Sequence, residues 1–499
     1  MNSLKSYFRG TRKIAIPLMF LYMLAVMIIM TCLNYELTAF SMIFVCILSA
    51  LLTIVIFYAF QRLPGVRLRP LSRQNSRKTL LLIFLIFLIT FAFYMLYFAT
   101  KYPENILGEG SDTANQYSQA IGEIPYNNWH PVLHTLLFLT LPLKFVDLIS
   151  FTVFMQIVYF CLAFTYLIFV LYQNGAPGVF LLGLCLYVWL NPYLAGWMMY
   201  PVKDSALTIF AIALVAYYIR IIFSKGAWLS NPRNMILFAL IAVGCTYMRH
   251  NALLFTVPII LTVLFYAVKN KKTRLLTVLS LIAVVALIQL LYAFLDVQSP
   301  NFRTEEKIGL PVSIWCNVMH KTPDSLPEET QQVMYELIPS ELYEIYDVSE
   351  GFNSIKFKDE NFWYNLDALS YADVIKYTYQ CFRYAPKESM KSLSALIGMV
   401  VSADERIWPL NLSGGPNHLG LDENVFNRLL TFTIQIVTLF SNSPFVILFG
   451  SLGFMNLALV IVALVLLSEN RFSILHSLPL LCYNPVFDSN QKTRALQSL

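Results

Sequence analysis

Charged residues are scarce in this 499-residue chain: only 13% are Asp, Glu, Lys or Arg, whereas 58% are hydrophobic. A soluble chain carries about 25% charged residues, so the missing charge corresponds to surface that faces lipid. This composition excludes a cytosolic enzyme, a disulfide scaffold and a disordered chain, and it predicts an all-α polytopic membrane protein. The net charge of +6 does not indicate nucleic-acid binding, because the basic residues are confined to particular connections.

Cysteine is also sparse, with eight in the chain, most of them inside apolar runs. Cysteines placed in this way behave as small buried hydrophobes. Only Cys316 and Cys381 lie together in a long polar segment. A disulfide between them is one alternative if that segment is outside the cytoplasm, and two free thiols are the other.

Ionisable residues are nearly absent from the middle of the apolar runs. Ion-coupled transporters usually keep such a residue near mid-membrane, so coupled transport is disfavoured. A glycine-rich nucleotide fingerprint is missing as well. The polar groups gather instead where the predicted helices leave the membrane, which is where an enzyme acting on a lipid-linked substrate would hold them.

Ten apolar runs approach the length of about 20 residues that a spanning helix needs, and an eleventh begins near the end of the chain. We therefore predict about 10 or 11 transmembrane helices. The first run follows four basic residues, but it is too long for a signal peptide and no cleavage site follows it. The ten runs are residues 14–33, 39–60, 80–99, 149–172, 178–196, 205–223, 235–248, 252–268, 275–295 and 445–467.

Lys and Arg crowd the N-terminus and the connections at 61–79 and 269–274, which the positive-inside rule assigns to the cytoplasm. Residues 296–388 hold sixteen acidic residues against eight basic ones, and we assign them to the outside. The apolar run from Pro131 to Ser150 would invert every later loop if it crossed, so we interpret it as a juxtamembrane or re-entrant helix. The outer loops are then residues 100–130, 197–204, 249–251 and 296–428.

Three regions follow from this topology. Residues 1–295 form a transmembrane module, and residues 296–428 form an extracytoplasmic loop domain, whose aromatic residues predict folding rather than disorder. Within it, Met390–Val401 is apolar but too short to cross, so we expect an amphipathic helix on the membrane surface. Residues 429–499 form a C-terminal transmembrane segment that looks truncated, because Asn484-Pro485 interrupts the last apolar run.

The first outer loop contains two acids, Glu109 between glycines and Asp112 shortly after it. A carboxylate held where a helix leaves the membrane could act as general base on an acceptor hydroxyl. The alternative is that Asp112 caps a helix that runs through Gln116. Trp129 and His130, a few residues later, are also typical of a plain interfacial anchor.

Two further clusters occur at the next outer loops. Lys203 and Asp204 lie at a predicted helix N-terminus, whose dipole favours an anion, and the alternative is an ordinary cap beside a snorkelling lysine. Arg249, His250 and Asn251 lie between two spans, where an arginine fork and a histidine suit a phosphate or pyrophosphate. The alternative for this cluster is an interfacial anchor.

In this order the motifs resemble the polyprenyl-phosphate-sugar-dependent membrane glycosyltransferases of the GT-C type, such as the protein mannosyltransferases and the aminoarabinose transferases of lipid A. The Asp-x-x-x-Gln, Trp-His-Pro-x-x-His, Lys-Asp and Arg-His-Asn string is most similar to a largely uncharacterised family of bacterial polytopic proteins. The resemblance covers roughly residues 80–300. It implies a GT-C-like fold with an outer-face loop domain.

The resemblance implies that Asp112 is the base or metal-proximal carboxylate, with Glu109 as the alternative, and that Asp204 is the acid of the second outer loop. The adjacent acid pair of that class is absent here, which leaves a divalent metal ion open. The arginine-rich C-terminal element of the class is also missing before Leu499. The implied substrate-binding residues are Lys203, Arg249, His250, Asn251, Gln116, Trp129, His130 and His134.

The sequence therefore predicts an inverting glycosyltransferase in the lipid bilayer of a bacterial plasma membrane, with its active site on the extracytoplasmic face. Its partners would be a polyprenyl-phosphate-linked sugar donor and a cell-envelope acceptor, with no nucleic acid. The alternative is a non-catalytic translocator or export component for an envelope polysaccharide. A translocator needs a polar path through the spans, and these offer few polar groups beyond Gln156 and Gln289.

Overall fold

The computed structural model describes most of the first 401 residues and a few positions after them. These residues are helical apart from turns and one isolated bridge between Asn127 and Gln298. The described residues are 12–34, 38–62, 77–102, 112–298, 304–356, 358, 365–366, 368–401, 431, 435, 455–456 and 458–460.

The helices before residue 296 form a bundle. They are α1 (Arg12–Asn34), α2 (Ala39–Arg62), α3 (Arg77–Lys101), α4 (Asp112–Ile121), α5 (Val132–Leu143, with a π-helical middle at Thr135–Thr140), α6 (Ile149–Gln173), α7 (Gly178–Leu190), α8 (Pro192–Met198), α9 (Lys203–Phe223), α10 (Pro232–Met248), α11 (Leu253–Thr262, continuing as a π-helix over Val263–Ala267) and α12 (Lys271–Phe294).

Six helices in the described part of the chain are long and apolar enough to cross a membrane, or seven if α7 and α8 count as one bent span. The prediction of an all-α polytopic membrane protein is confirmed. Helix α10 is shorter than a span requires, whereas α2 is 24 residues long, of which Ser41–Ile56 is the described apolar part. The predicted run at 445–467 lies mostly outside the described residues. The six spans are Ala15–Cys32, Arg77–Thr100, Ile149–Gln173, Lys203–Phe223, His250–Ala267 and Lys271–Phe294.

The run predicted as one helix over 178–196 is broken at Asn191, and α7 and α8 meet at an angle of 60°. Pro192 has no amide hydrogen to donate, and it pushes the residue before it out of the helical conformation. Asn191 is extended, and its side chain accepts the amides of Tyr193 and Leu194 at 3.0 and 3.1 Å. The asparagine thereby caps a new helix at the point where the first one ends.

The apolar run at 131–150 forms helix α5, which ends at Leu143, and a turn precedes α6. Twelve residues extend only about 18 Å, which is less than the hydrocarbon thickness. This length agrees with the juxtamembrane or re-entrant interpretation. Helix α4 packs against the π-helical middle of α5. π-helical turns inside α-helices are often found at functional sites.

Residues after 303 form a second set of helices with a hydrophobic core of its own, whose buried members run from Ile308 to Ala385. Trp315 is fully buried at its centre and donates to the Thr378 hydroxyl at 3.0 Å. These helices are α13 (Thr304–Lys321), α14 (Glu328–Leu337), α15 (Ser340–Glu344), α16 (Asn353–Lys356), α17 (Tyr371–Tyr384) and α18 (Pro386–Val401).

The structure decides between the two cysteine alternatives of this segment and shows the neighbours of its predicted surface helix. Cys316 and Cys381 are both free thiols buried in the core, so the disulfide alternative is not the one adopted. Helix α18, which contains the predicted surface helix at 390–401, packs instead against α1 and α13. Its small serine side chains at 389, 392 and 394 are fully buried, and small residues of this kind let helices approach closely.

Candidate functional site

Most of the polar residues that the sequence singled out meet at one end of the helix bundle. The loop before α5, the start of α9, the end of α10 and the chain after α12 all contribute to this end. The chain after α12 is tied to the first loop by two backbone hydrogen bonds: Gln298 donates to Tyr126 at 2.8 Å, and Asn128 donates to Gln298 at 3.0 Å. Four segments that are distant in sequence are therefore adjacent in space.

The Lys203 ammonium lies 3.0 Å from Nδ1 of His130. A charged lysine can only donate, so Nδ1 of this histidine accepts, and the ring is neutral with its proton on Nε2. His130 is buried, and Lys203 is half-buried at the first position of α9. The contact joins the loop before α5 to the start of α9 and places an uncharged N–H donor beside a cation.

Asp204 follows Lys203 and forms an ion pair with Arg249 through Oδ1 and Nη1. The two side chains are only 15% and 10% exposed, so both charges are largely removed from water. Asp204 also lies in the first turn of α9, where the helix dipole favours a carboxylate. Arg249 ends α10 in an extended conformation, which carries its side chain across to α9.

His250 is exposed next to this pair, and its Nε2 lies 3.2 Å from the Asn128 carbonyl oxygen. A carbonyl only accepts, so Nε2 carries a proton. The neighbouring Asn251 is exposed. This short connection between α10 and α11 is thereby fixed to the same first loop that carries His130.

His134 is completely buried one turn into α5, where Gln116 of α4 places its Nε2 atom 3.0 Å from both His134 Nδ1 and Thr135 Oγ1. Burial, reinforced by the positive charge of Lys203, lowers the pKa of His134 from 6.5 to about 3. The ring is therefore neutral, and its Nε2 has no hydrogen-bond partner among the described residues. A buried donor without a partner is costly in a native structure and is often found at functional sites.

The two acids of the first loop are only partly described. Helix α4 begins at Asp112 and runs through Gln116 to Ile121, so a helix does start where the sequence predicts one. Glu109 lies outside the described residues. Because α4 packs against α5, the backbone of Asp112 belongs to the same end of the bundle as His134.

Trp129 is half-buried, and the face of its ring contacts Lys356 of the second set of helices. The Lys356 ammonium is 5.9 Å from its ring centroid, within range of a cation–π contact. Trp129 therefore contacts the segment predicted as a loop domain, rather than serving only as a lipid anchor. Sequence reasoning gave no signal for Lys356, because it comes from a segment more than 200 residues away in sequence.

Two buried residues hold the loops of the site in position. Gln156 of α6 donates to the carbonyl oxygens of Met198 and Tyr200 at 3.0 and 2.8 Å, just before Lys203. Tyr292 of α12 accepts the Leu133 amide at 2.9 Å at the start of α5. Gln156 had a signal in the sequence, as a lone amide in an apolar run, but Tyr292 had none.

Among the described residues, no group of three His, Cys, Asp or Glu side chains could hold a metal ion. The polar end is instead a cluster of donors, with Lys203 and Arg249 as permanent cations and three histidines near them. Such a cluster suits an anionic oxygen, most of all a phosphate.

No family model matches this chain, and neither a curated protein nor a solved structure does. The GT-C resemblance of the motifs therefore stays a prediction. The structure adds the geometry of the motifs, which come together from α4, α5, α9, the end of α10 and the two connections before α5 and after α10.

Proposed function

We propose that this chain is a membrane glycosyltransferase that moves a sugar from a polyprenyl-phosphate donor to a cell-envelope acceptor. The reaction would take place on the outer face of a bacterial plasma membrane. One observation carries the proposal: Lys203, Arg249, His130 and His134, which come from three different parts of the sequence, converge as hydrogen-bond donors at one end of the bundle.

In the proposed reaction the acceptor hydroxyl oxygen attacks the anomeric carbon of the donor sugar. The bond from that carbon to the phosphate oxygen breaks, and its electron pair leaves with the polyprenyl phosphate. Asp112 takes the proton of the hydroxyl, with Glu109 as the alternative base. General-base catalysis of this kind contributes about 10²- to 10⁴-fold to a rate.

Negative charge grows on the departing phosphate, and cations fixed before the reaction lower the energy of that change. Lys203 and Arg249 provide two positive charges, of which Asp204 balances one. We assign Asp204 the role of a positioning residue, because its carboxylate holds the guanidinium that faces the substrate. His250 is the third group next to the phosphate.

The neutral histidines have a different role in this proposal. His130 and His134 both carry their proton on Nε2, so each can donate one hydrogen bond without adding charge. A neutral donor suits sugar hydroxyls. The Nε2 of His134, which no described residue contacts as a hydrogen-bond partner, gains a hydrogen bond when a substrate oxygen arrives. Gln116 orients the His134 ring through its contact with Nδ1, on the side of the ring opposite Nε2.

The test is sugar transfer by the full chain in vesicles that contain a polyprenyl-phosphate sugar, with release of polyprenyl phosphate as the readout. We expect Asp112→Asn to lower the rate by about 100-fold or more. The matched control is Asn115→Ala, an exposed position on the same helix, which should stay within about twofold. Full activity in both Asp112→Asn and Glu109→Gln would show that neither acid is the base.

A second measurement tests the biological assignment. Mass spectrometry of the envelope polymers, with and without the protein, should reveal a missing sugar in the deleted strain. A polymer of unchanged composition that accumulates inside the cell would identify a translocator instead.

The topology is tested with single exposed cysteines in a chain whose native cysteines have been replaced. Asn251→Cys and Lys271→Cys occupy opposite ends of the bundle, and both positions are exposed. An impermeant thiol reagent applied to intact cells should label only Asn251→Cys. Labelling of Lys271→Cys alone would place the polar end in the cytoplasm and contradict the proposal.

A further inference from the structure

Helix α17 has two opposite faces, and among the described residues only one of them is covered by protein. Val374 and Cys381 are buried against the core around Trp315. The other face carries Tyr371, Ile375 and Tyr379, whose side chains are 67%, 69% and 61% exposed.

The three exposed side chains are four residues apart, so they form one row along the helix. Arg383 continues the row, and Lys376 lies beside it; both are exposed. The one acid of the helix, Asp373, is used in the capping box with Ser370. Glu329 lies 3.9 Å from Lys376, but an exposed pair at that distance contributes little. The face is therefore aromatic, apolar and positively charged.

The position of α17 relative to the membrane follows from its neighbour. Helix α18 begins after a single residue, Ala385, and packs against the spanning helix α1. Ser394 of α18 lies against Cys32, the last residue of the span Ala15–Cys32. Nine residues lie between Ser394 and the end of α17. The helical part from Pro386 rises about 12 Å and the two steps through Ala385 span at most about 7 Å. This end of α17 thus lies within about 20 Å of the membrane boundary.

We propose that α17 lies on the lipid surface, with Tyr371, Ile375 and Tyr379 in the headgroup region and with Lys376 and Arg383 next to lipid phosphates. Tyrosine is enriched at this depth of a bilayer, and amphipathic helices with basic residues bind anionic lipid surfaces. The helix that touches lipid is therefore α17, and not the 390–401 stretch for which the sequence predicts this role. The inference does not depend on sugar transfer.

The experiment uses the full chain in nanodiscs of phosphatidylcholine and phosphatidylglycerol, with native cysteines replaced. An environment-sensitive fluorophore is attached at Ile375→Cys, and lipids with a headgroup-proximal nitroxide are used as quenchers. The matched control is Ile345→Cys, which is 50% exposed directly after α15 in the same set of helices. We expect strong quenching at position 375 and little at position 345, because such quenching acts only over short distances.

A charge variant tests the headgroup contact separately. Lys376→Glu combined with Arg383→Glu should reduce the quenching at position 375 in discs that contain phosphatidylglycerol, because electrostatic attraction to anionic lipid is lost. Equal quenching at positions 375 and 345 would overturn the proposal. So would a fluorophore that is shielded only when a disc holds two copies of the chain, since a second copy would then cover the face.

Discussion

Both ends of the helix bundle carry basic side chains, but they hold them in different ways. At the polar end, Lys203 is half-buried against His130, and Arg249 is largely buried against Asp204. At the opposite end, Lys269, Lys271 and Lys272 are exposed, and in the described part of the chain none of them forms an ion pair.

This difference indicates that basic side chains serve two separate roles in this protein. Exposed lysines near the ends of spans set orientation, which needs no particular partner. Buried charges lose solvation, so they persist only where the fold supplies partners, and such positions are candidates for function.

The opposite end is organised by backbone geometry instead. Asn270 caps α12 by accepting the amides of Lys272 and Thr273 at 2.9 and 3.2 Å. Gly226 has a φ of +80°, and a Cβ atom there would lie 2.8 Å from the Ala267 carbonyl oxygen. Two turns can approach this closely only because glycine has no side chain.

The largest effect is expected from Arg249→Ala at the polar end. It leaves the Asp204 carboxylate buried without a partner, which typically costs about 3–5 kcal/mol of unfolding free energy. We also expect sugar transfer to fall about 100-fold or more, because a donor to the leaving phosphate is lost. Denaturant unfolding in detergent and the vesicle transfer assay measure the two effects.

The control for Arg249→Ala is the double variant Asp204→Asn with Arg249→Met. It removes both charges together, so most of the stability should return while transfer stays low. If the double variant regains activity, Arg249 has only a structural role. A loss of stability no larger than that of Lys272→Ala would contradict the comparison of the two ends.

A pH-dependent effect follows from His134, whose folded-state pKa is lowered from 6.5 to about 3 by burial. Below pH 6.5 the unfolded chain binds a proton that the folded chain does not. Stability is therefore complete above pH 6.5 and falls as the pH drops toward 3, by up to about 1.4 kcal/mol per pH unit.

The matched variants for this dependence are His134→Gln and His320→Gln. The first keeps an acceptor for Gln116 but cannot titrate, so the slope between pH 6.5 and pH 3 should flatten. The second removes a half-exposed histidine of α13 and controls for the loss of a histidine elsewhere in the chain. Unfolding free energies across the pH range give the answer, and an equal slope in both variants would refute the assignment to His134.

Gly226→Ala tests the opposite end, with an expected loss of about 1–3 kcal/mol from the left-handed backbone and the contact with Ala267. Gly122→Ala separates the two causes, because its φ is +83° but nothing lies within 4 Å of the added methyl group. Thermal unfolding should show the larger loss at position 226. Equal losses would mean that the contact with Ala267 has no energetic weight.

The smallest effect is expected from Lys272→Ala. Its side chain is exposed and unpaired within the described residues, so unfolding free energy should change by no more than about 0.5 kcal/mol. Transfer activity should also be unchanged. A large loss in either measurement would show that the basic end does more than set orientation.

Sequence alone predicted the all-α membrane character, because hydropathy and run length depend on local composition. It also singled out His130, Lys203, Asp204 and Arg249 as polar residues at the ends of apolar runs. It did not predict the bend at Asn191 within the run at 178–196, since hydropathy does not register a change of direction.

Only the tertiary structure decided which of these residues are partners. Asp204 pairs with Arg249 and Lys203 with His130 because α9, α10 and the loop before α5 come together at one end of the bundle. The supporting roles of Tyr292 and Lys356 depend on contacts across more than 150 residues. The local pattern of apolar and polar residues determines where each helix forms. The packing of helices that are distant in sequence determines which charged side chains are buried against each other, and this packing depends on the whole chain.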